Sequence, residues 1–249
     1  MEILECKTDI GLIRNHNEDC VLAISHPKNK NFKLLIAADG MGGRADGEIA
    51  SKYITESIEQ WFLKKSVKSL NNNDKIIKHL KDYIMKLNDN LIKKYGSNHL
   101  GTTLTLSLVN KKQTIILNVG DSRTYIYKNK NLIQITDDNS DVWDYYKYGN
   151  DLRYFSNNSL INACIGLCKE LCIISTYVIE NDYEMLLLFT DGVTDLITDK
   201  KIKKIINRTK KTNLLEKIIN EAVNVNQHLF VPIRLKQVEL SILKMYKII

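Results

Sequence analysis

Apolar and polar positions change period several times along the chain, and each change marks an element. Val21–Ser25 and Leu34–Ala38 are short apolar runs around the polar segment HPKNKN, which predicts two buried strands joined by a hairpin. Gly47–Lys65 places Ile49, Tyr53, Ile54, Ile58, Trp61 and Phe62 at helical spacing, and Ile76–Tyr95 repeats this with Leu80, Tyr83, Ile84, Leu87 and Leu91. A polar loop, SLNNND, joins these two predicted helices. Strand patterns return at Thr103–Val109, Thr114–Val119, Arg123–Tyr127 and Leu132–Ile135, with turn signals in NKKQ and KNKN, and together they read as an antiparallel meander. Asp138–Asn158 is polar, aromatic and weakly periodic, as in an irregular surface flap. Cys172–Val178 and Met185–Phe189 read as strands, Asp199–Arg208 and Leu214–Val225 as helices, and Val238–Tyr246 as a closing strand. This order predicts an α+β fold, a sandwich of two antiparallel β-sheets flanked by helix pairs. With no internal repeat and no linker, residues 1–249 are expected to form one domain with a flap around 138–160.

Composition narrows the class. At 249 residues, 44% hydrophobic and 26% charged, the chain can bury a core. No stretch approaches the ~18 consecutive apolar residues of a membrane span, and MEILECKTDIG has neither a basic start nor an apolar signal core. A cytoplasmic protein is expected. The net charge of +7 comes from lysines scattered among Asn and Ile, without the basic stripe and aromatics of a nucleic-acid interface. Cys6, Cys20, Cys164, Cys168 and Cys172 lack the histidine partners of a zinc set and are expected to be reduced structural thiols.

The chemistry concentrates in RNHNED at 14–19, ADGMGGRADGE at 38–48, VGDSR at 119–123 and FTDGVTD at 189–195. Each sets a carboxylate beside a tight turn, and an Asp-Gly at the end of an apolar strand offers a carboxylate and a backbone carbonyl to one point. A lone Asp-Gly is ordinarily just a turn. Four such segments supply the oxygen ligands of Mg²⁺ or Mn²⁺ and disfavour zinc. No cysteine lies in a loop with an arginine five or six residues on, which argues against cysteine-based phosphatase chemistry.

Through GLIRNHNEDC, LLIAADGMGGRADGEIAS, LGTTLTLSLV, LNVGDSRTYIYKNKNLIQITDDNS and LLLFTDGVTDLITDKKI the chain resembles the type-2C, or PPM, family of metal-dependent serine/threonine protein phosphatases, and its bacterial members in particular. The resemblance implies hydrolysis of phosphoserine and phosphothreonine in proteins by a metal-activated water, with two or three Mg²⁺ or Mn²⁺ ions. It implies that Asp39 bridges two metals, that the Gly40 carbonyl holds one and Asp191 the other, and that Asp121 shares a third with Asp191. Arg14 takes the phosphate-binding position, where a guanidinium fork suits a bidentate contact. Glu18 and Asp19 match an acidic pair that binds metal-bound water or orients the ligands; either side chain could instead cap a helix or turn. Met41 stands where some relatives carry a histidine, and Asn139 where a histidine is usual after TDD. The substrates implied are phosphorylated proteins made by a serine/threonine kinase, and the chain is taken to be a monomer.

The resemblance departs at the last strand. The family opens it with an Asp that binds metal, whereas KQVELSILKM puts Val238 there, or Lys236 in a register two residues earlier. Glu239 is adjacent, and neighbouring strand residues point to opposite faces, so it reaches the site only through a bulge or slip. The alternative function is therefore a pseudophosphatase, a phosphoprotein-binding module with an incomplete metal site. The aromatic group Trp143, Tyr145, Tyr146, Tyr148 and Tyr154 reads as a partner-facing surface or as a locally packed flap.

Overall fold

The computed structural model describes residues 2–12, 15–42, 46–97, 99–139, 163–167, 173–228 and 240–247. Its elements are β1 (Glu2–Asp9), β2 (Cys20–His26), β3 (Asn29–Ala38), β4 (Gly40–Gly42), α1 (Asp46–Lys64), α2 (Val67–Leu70), α3 (Asn73–Tyr95), β5 (Leu100–Thr102), β6 (Leu104–Val109), β7 (Gln113–Val119), β8 (Arg123–Lys128), β9 (Asn131–Gln134), β10 (Ser175–Glu180), β11 (Met185–Phe189), α4 (Asp191–Thr194), α5 (Asp199–Arg208), α6 (Leu214–His228) and β12 (Leu240–Lys247). One sheet has the order β1-β12-β11-β8-β9 and the other β10-β7-β6-β3-β2, with β4 and β5 a separate pair. Every described pairing is antiparallel.

The central strands read as unbroken apolar runs because both of their faces are covered. Along β3, Leu34, Ile36 and Ala38 join the helix-side core with Ile54, Ile58 and Phe62 of α1 and Leu80, Ile84 and Leu87 of α3. The intervening Leu35 and Ala37 face the other sheet, where they meet Ile126, Leu186 and Leu188. On the far side Tyr125, Leu187 and Phe189 pack on Ile202 and Ile206 of α5 and on Ile218 and Ala222 of α6. The result is helices, sheet, sheet, helices, and each large side chain so enclosed contributes about 1.5–3 kcal/mol. Local signals set the helix ends: Asn72 Oδ1 accepts from Lys75 N at 3.1 Å at the start of α3, and Gly96, at φ +87°, ends it.

The predicted α+β sandwich is the observed fold, with three differences in detail. The expected meander is broken: β6 and β7 pair in one sheet, while β8 and β9 lie in the other. The crossing occurs at Gly120, whose φ of +95° suits a glycine, and a polar pattern of period two cannot say which sheet a strand joins. The SLNNND loop holds the end of α2, capped by Ser66 Oγ accepting from Ser69 N. The N-terminal strand β1 and the helical turn α4 carry too little periodicity to have been expected; β1 is drawn into the sheet by its register with β12. Most of the proposed flap, with Trp143, Tyr145, Tyr146, Tyr148 and Tyr154, lies outside the described residues.

Candidate metal centre

Three strand ends and one turn bring the acidic residues together. Asp39 directly follows β3, and its backbone is held on both sides. Its amide donates to Thr103 Oγ1 at 3.0 Å, and its carbonyl accepts from Thr103 N and Thr102 Oγ1, both at 2.9 Å. The next residue starts β4, which pairs with β5 and turns the chain under the first turn of α1. A Cβ at Gly40 would lie 2.3 Å from Gly47 O and 2.5 Å from Glu18 O, so this crossing admits only glycine. A Cβ at Gly47 would lie 2.7 Å from Gly40 O, so the close crossing of the two backbones needs glycine on both sides.

Glu18 and Asp19, just before β2, divide their work. The Glu18 carboxylate accepts from Gly47 N at 3.2 Å at the start of α1, where an anion is favoured, and its backbone carbonyl accepts from Gly40 N and Ser51 Oγ. Asp19 Oδ2 accepts from Thr190 Oγ1 at 2.9 Å, and its amide donates to Asn17 Oδ1. Asp191 opens α4 immediately after Thr190, and its carbonyl accepts from Asp195 N at 2.7 Å. Asp121 sits in the turn between β7 and β8, with Oδ1 buried and, among the described residues, lacking a hydrogen-bond partner.

Electrostatics ties these carboxylates into one cluster. Burial, then the charges of Asp19 and Asp191, push Asp39 well above the usual carboxylate range, with further contributions from a hydrogen bond to Asp191 and the charge of Asp121. Asp121 is pushed up to about 7 by burial and by Asp191, Asp138 and Asp195. The charges acting most on both are carboxylates, so each ionisation is opposed by the next. The nearby guanidinium of Arg123 is committed elsewhere: its Nε lies 2.9 Å and its Nη2 2.6 Å from the Asp138 oxygens. Burial pushes the Cys20 thiol up, so the cysteine beside Asp19 is held as a thiol. Cys6, Cys20 and Cys164 are free thiols.

Among the described residues no group of three or more His, Cys, Asp or Glu side chains is drawn together closely enough to hold a metal ion by itself. Mg²⁺ and its like need none, since they keep several waters and take one or two carboxylates. The fit to a hard divalent cation rests on the oxygen-only donors Asp39, Asp121 and Asp191 and on the buried Asp121 oxygen, which has no hydrogen-bond partner among the described residues. Arg14, Glu239, Val238 and Lys236 lie outside the described residues. Asn139 exchanges two hydrogen bonds with the backbone of Gly120, at 2.9 and 3.2 Å, and so holds the Asp121 turn. Thr103, Ser122, Thr190 and the Arg123–Asp138 pair were visible only as members of the motifs; nothing in their spacing marks them as neighbours of the carboxylates.

A two-sheet sandwich with a carboxylate cluster where strand ends from both sheets meet defines a class of metal-dependent hydrolase. The protein phosphatase 2C family model matches residues 15–228, and the chain belongs to that family, which is metal-dependent. It is 29% identical over 222 residues to the serine/threonine phosphatase stp of Listeria welshimeri, covering 86% of this chain and 85% of that one. The crystal structure of the serine/threonine phosphatase Stp1 from Staphylococcus aureus superposes with a TM-score of 0.85 at 25% identity, covering all of this chain and 96% of that one. The catalytic domain of PstP in complex with two manganese ions shares the fold, with a TM-score of 0.79 at 22% identity and coverage of 98% and 97%.

Proposed function

We propose that this chain removes phosphate from phosphoserine and phosphothreonine in proteins, using two or three Mg²⁺ or Mn²⁺ ions at the Asp39 cluster. The carrying observation is the crowding of Asp39, Asp19, Asp121 and Asp191, in which the largest charges acting on Asp39 are other carboxylates. Such a cluster is satisfied by a cation. Asp39, Asp191 and the Gly40 carbonyl would hold two ions, and Asp121 with Asp191 a third. Bound ions supply a water acidic enough to ionise near neutral pH and neutralise charge on the phosphoryl oxygens.

The remaining roles belong to the chain's own groups. Arg14 takes the phosphate through its guanidinium fork, which fixes orientation as well as charge. Asp19 is aimed by the Thr190 hydroxyl, and Glu18 holds the start of α1 against the Asp-Gly turn. Because Asp39 and Asp121 are raised, ion binding also displaces protons, and affinity should climb with pH. The two manganese ions of PstP support a two-ion minimum here. Residues 1–249 act as one unit, a cytoplasmic monomer opposing a serine/threonine kinase. No helix among the described residues is long and apolar enough to cross a membrane. The binding-module reading depends on positions 236–239, and family membership weighs against it.

The test is turnover of para-nitrophenyl phosphate and of a phosphothreonine peptide with Mn²⁺. Activity should stop with a chelator and be absent in Asp39→Asn. Turnover in the parent no greater than in that variant would refute the proposal.

A further inference from the structure

Over most of their contact the two sheets meet through hydrocarbon, with Leu35, Ala37 and Val109 against Ile126, Leu186 and Leu188. Beside the carboxylates the contact changes to hydroxyls. Thr103 Oγ1 and Ser122 Oγ lie 2.8 Å apart, and Thr105 Oγ1 and Thr124 Oγ1 2.7 Å apart, with all four residues fully buried. Thr105 and Thr124 lie on β6 and β8, while Thr103 and Ser122 immediately precede those strands. Each pair spans 19 residues, so the two form successive rungs between opposing sheets.

Among the described residues only the outer rung is connected to the candidate metal centre. Thr103 Oγ1 accepts from the Asp39 amide, Thr103 N donates to the Asp39 carbonyl, and Ser122 directly follows Asp121. A Cβ at Gly120 would lie 2.7 Å from Thr103 Cγ2, so the turn carrying Asp121 is packed onto Thr103 as well as bonded through it. A hydrocarbon pair could fill the same space, but it would let one sheet slide on the other. A hydrogen bond is directional and resists that slide.

We propose that Thr103 and Ser122 are positioning residues whose hydroxyl bond sets the gap between Asp39 and Asp121, and through it the affinity for divalent cations. This rests on reading the cluster as a metal site. The inner rung, Thr105 with Thr124, also ties the sheets together, but it makes no described bond to the Asp39 or Asp121 turns and so acts on stability and not on the ion.

The experiment is calorimetric titration of Mn²⁺ into the chelator-stripped full chain, with the metal-free Tm of each variant measured alongside. Ser122→Ala should raise the Mn²⁺ Kd about 10-fold, the scale on which partners behind metal ligands act. Thr103→Val, which keeps the shape and loses the hydroxyl, carries the same expectation, so the result does not hang on one variant folding. Thr103→Ser should return the affinity toward the parent value. Thr105→Val should lower Tm while binding Mn²⁺ as the parent does. Unchanged affinity in Ser122→Ala and Thr103→Val, or an equal loss in Thr105→Val, overturns the positioning role alone. A parent chain that binds no Mn²⁺ overturns the metal-site reading and this inference with it.

Discussion

The Thr190 hydroxyl donates to Asp19 Oδ2 at 2.9 Å, joining residues 171 apart in the chain. Thr190 follows β11 of one sheet and Asp19 precedes β2 of the other, so this bond closes the sandwich where the carboxylates gather. Thr190 is fully buried, and water has little access to replace the bond.

Thr190→Val keeps the shape and takes a donor from a buried carboxylate. It should cost about 1–3 kcal/mol, which for a chain of this size is roughly 2–4 °C of Tm per kcal/mol. Thermal melts in chelator measure it, and a Tm equal to the parent's would show that Asp19 does not depend on this hydroxyl.

The raised carboxylates make stability depend on pH with a definite sign. Asp121 has an ordinary value of 3.8 and a folded value of about 7, so between these the folded chain binds more protons than the unfolded one. Its contribution to stability is fully present below the ordinary value and is lost as pH rises through about 7. In chelator, Asp121→Asn should therefore melt above the parent by a margin that is small near pH 5 and grows to its full size near pH 8. A constant difference across that range counts against the crowding of charges.

Arg123 and Asp138 form a two-pronged ion pair, with side chains 20% and 6% exposed. Burial pushes Asp138 up and the guanidinium pulls it back, so removing the cation alone strands a carboxylate in the interior. Arg123→Ala should cost about 3 kcal/mol, and a second change, Asp138→Asn, should recover much of it. Urea midpoints of the single and double variants check this, and additive losses would mean the two residues act independently.

Gly40→Ala places a methyl carbon 2.3 Å from a backbone oxygen, a neighbour that cannot rotate away. The expected loss is about 3 kcal/mol, with Mn²⁺-dependent turnover abolished because the Asp39–Gly40 turn must move. A variant with parent stability and turnover would show that the crossing of this turn with α1 is looser than described.

The fold was legible because hydrophobic period is a local property. Two helices with apolar stripes and strands buried on both faces announce themselves within a dozen residues, and Asp39, Asp121 and Asp191 stand out because each ends or follows such a strand. Which sheet a strand joins was not legible: β7 and β8 look like a hairpin in sequence, and only packing across the sandwich separates them at Gly120. The same holds for the bonds that aim the site. A threonine such as Thr103 or Thr190 has ordinary strand chemistry, and its pairing with Ser122 or Asp19 exists only once two sheets are pressed together. Residue type and local spacing decided which groups can carry the chemistry, whereas the long-range closure of the two sheets decided which of them meet, because a hydrogen bond between residues 171 apart leaves no trace in the pattern around either one.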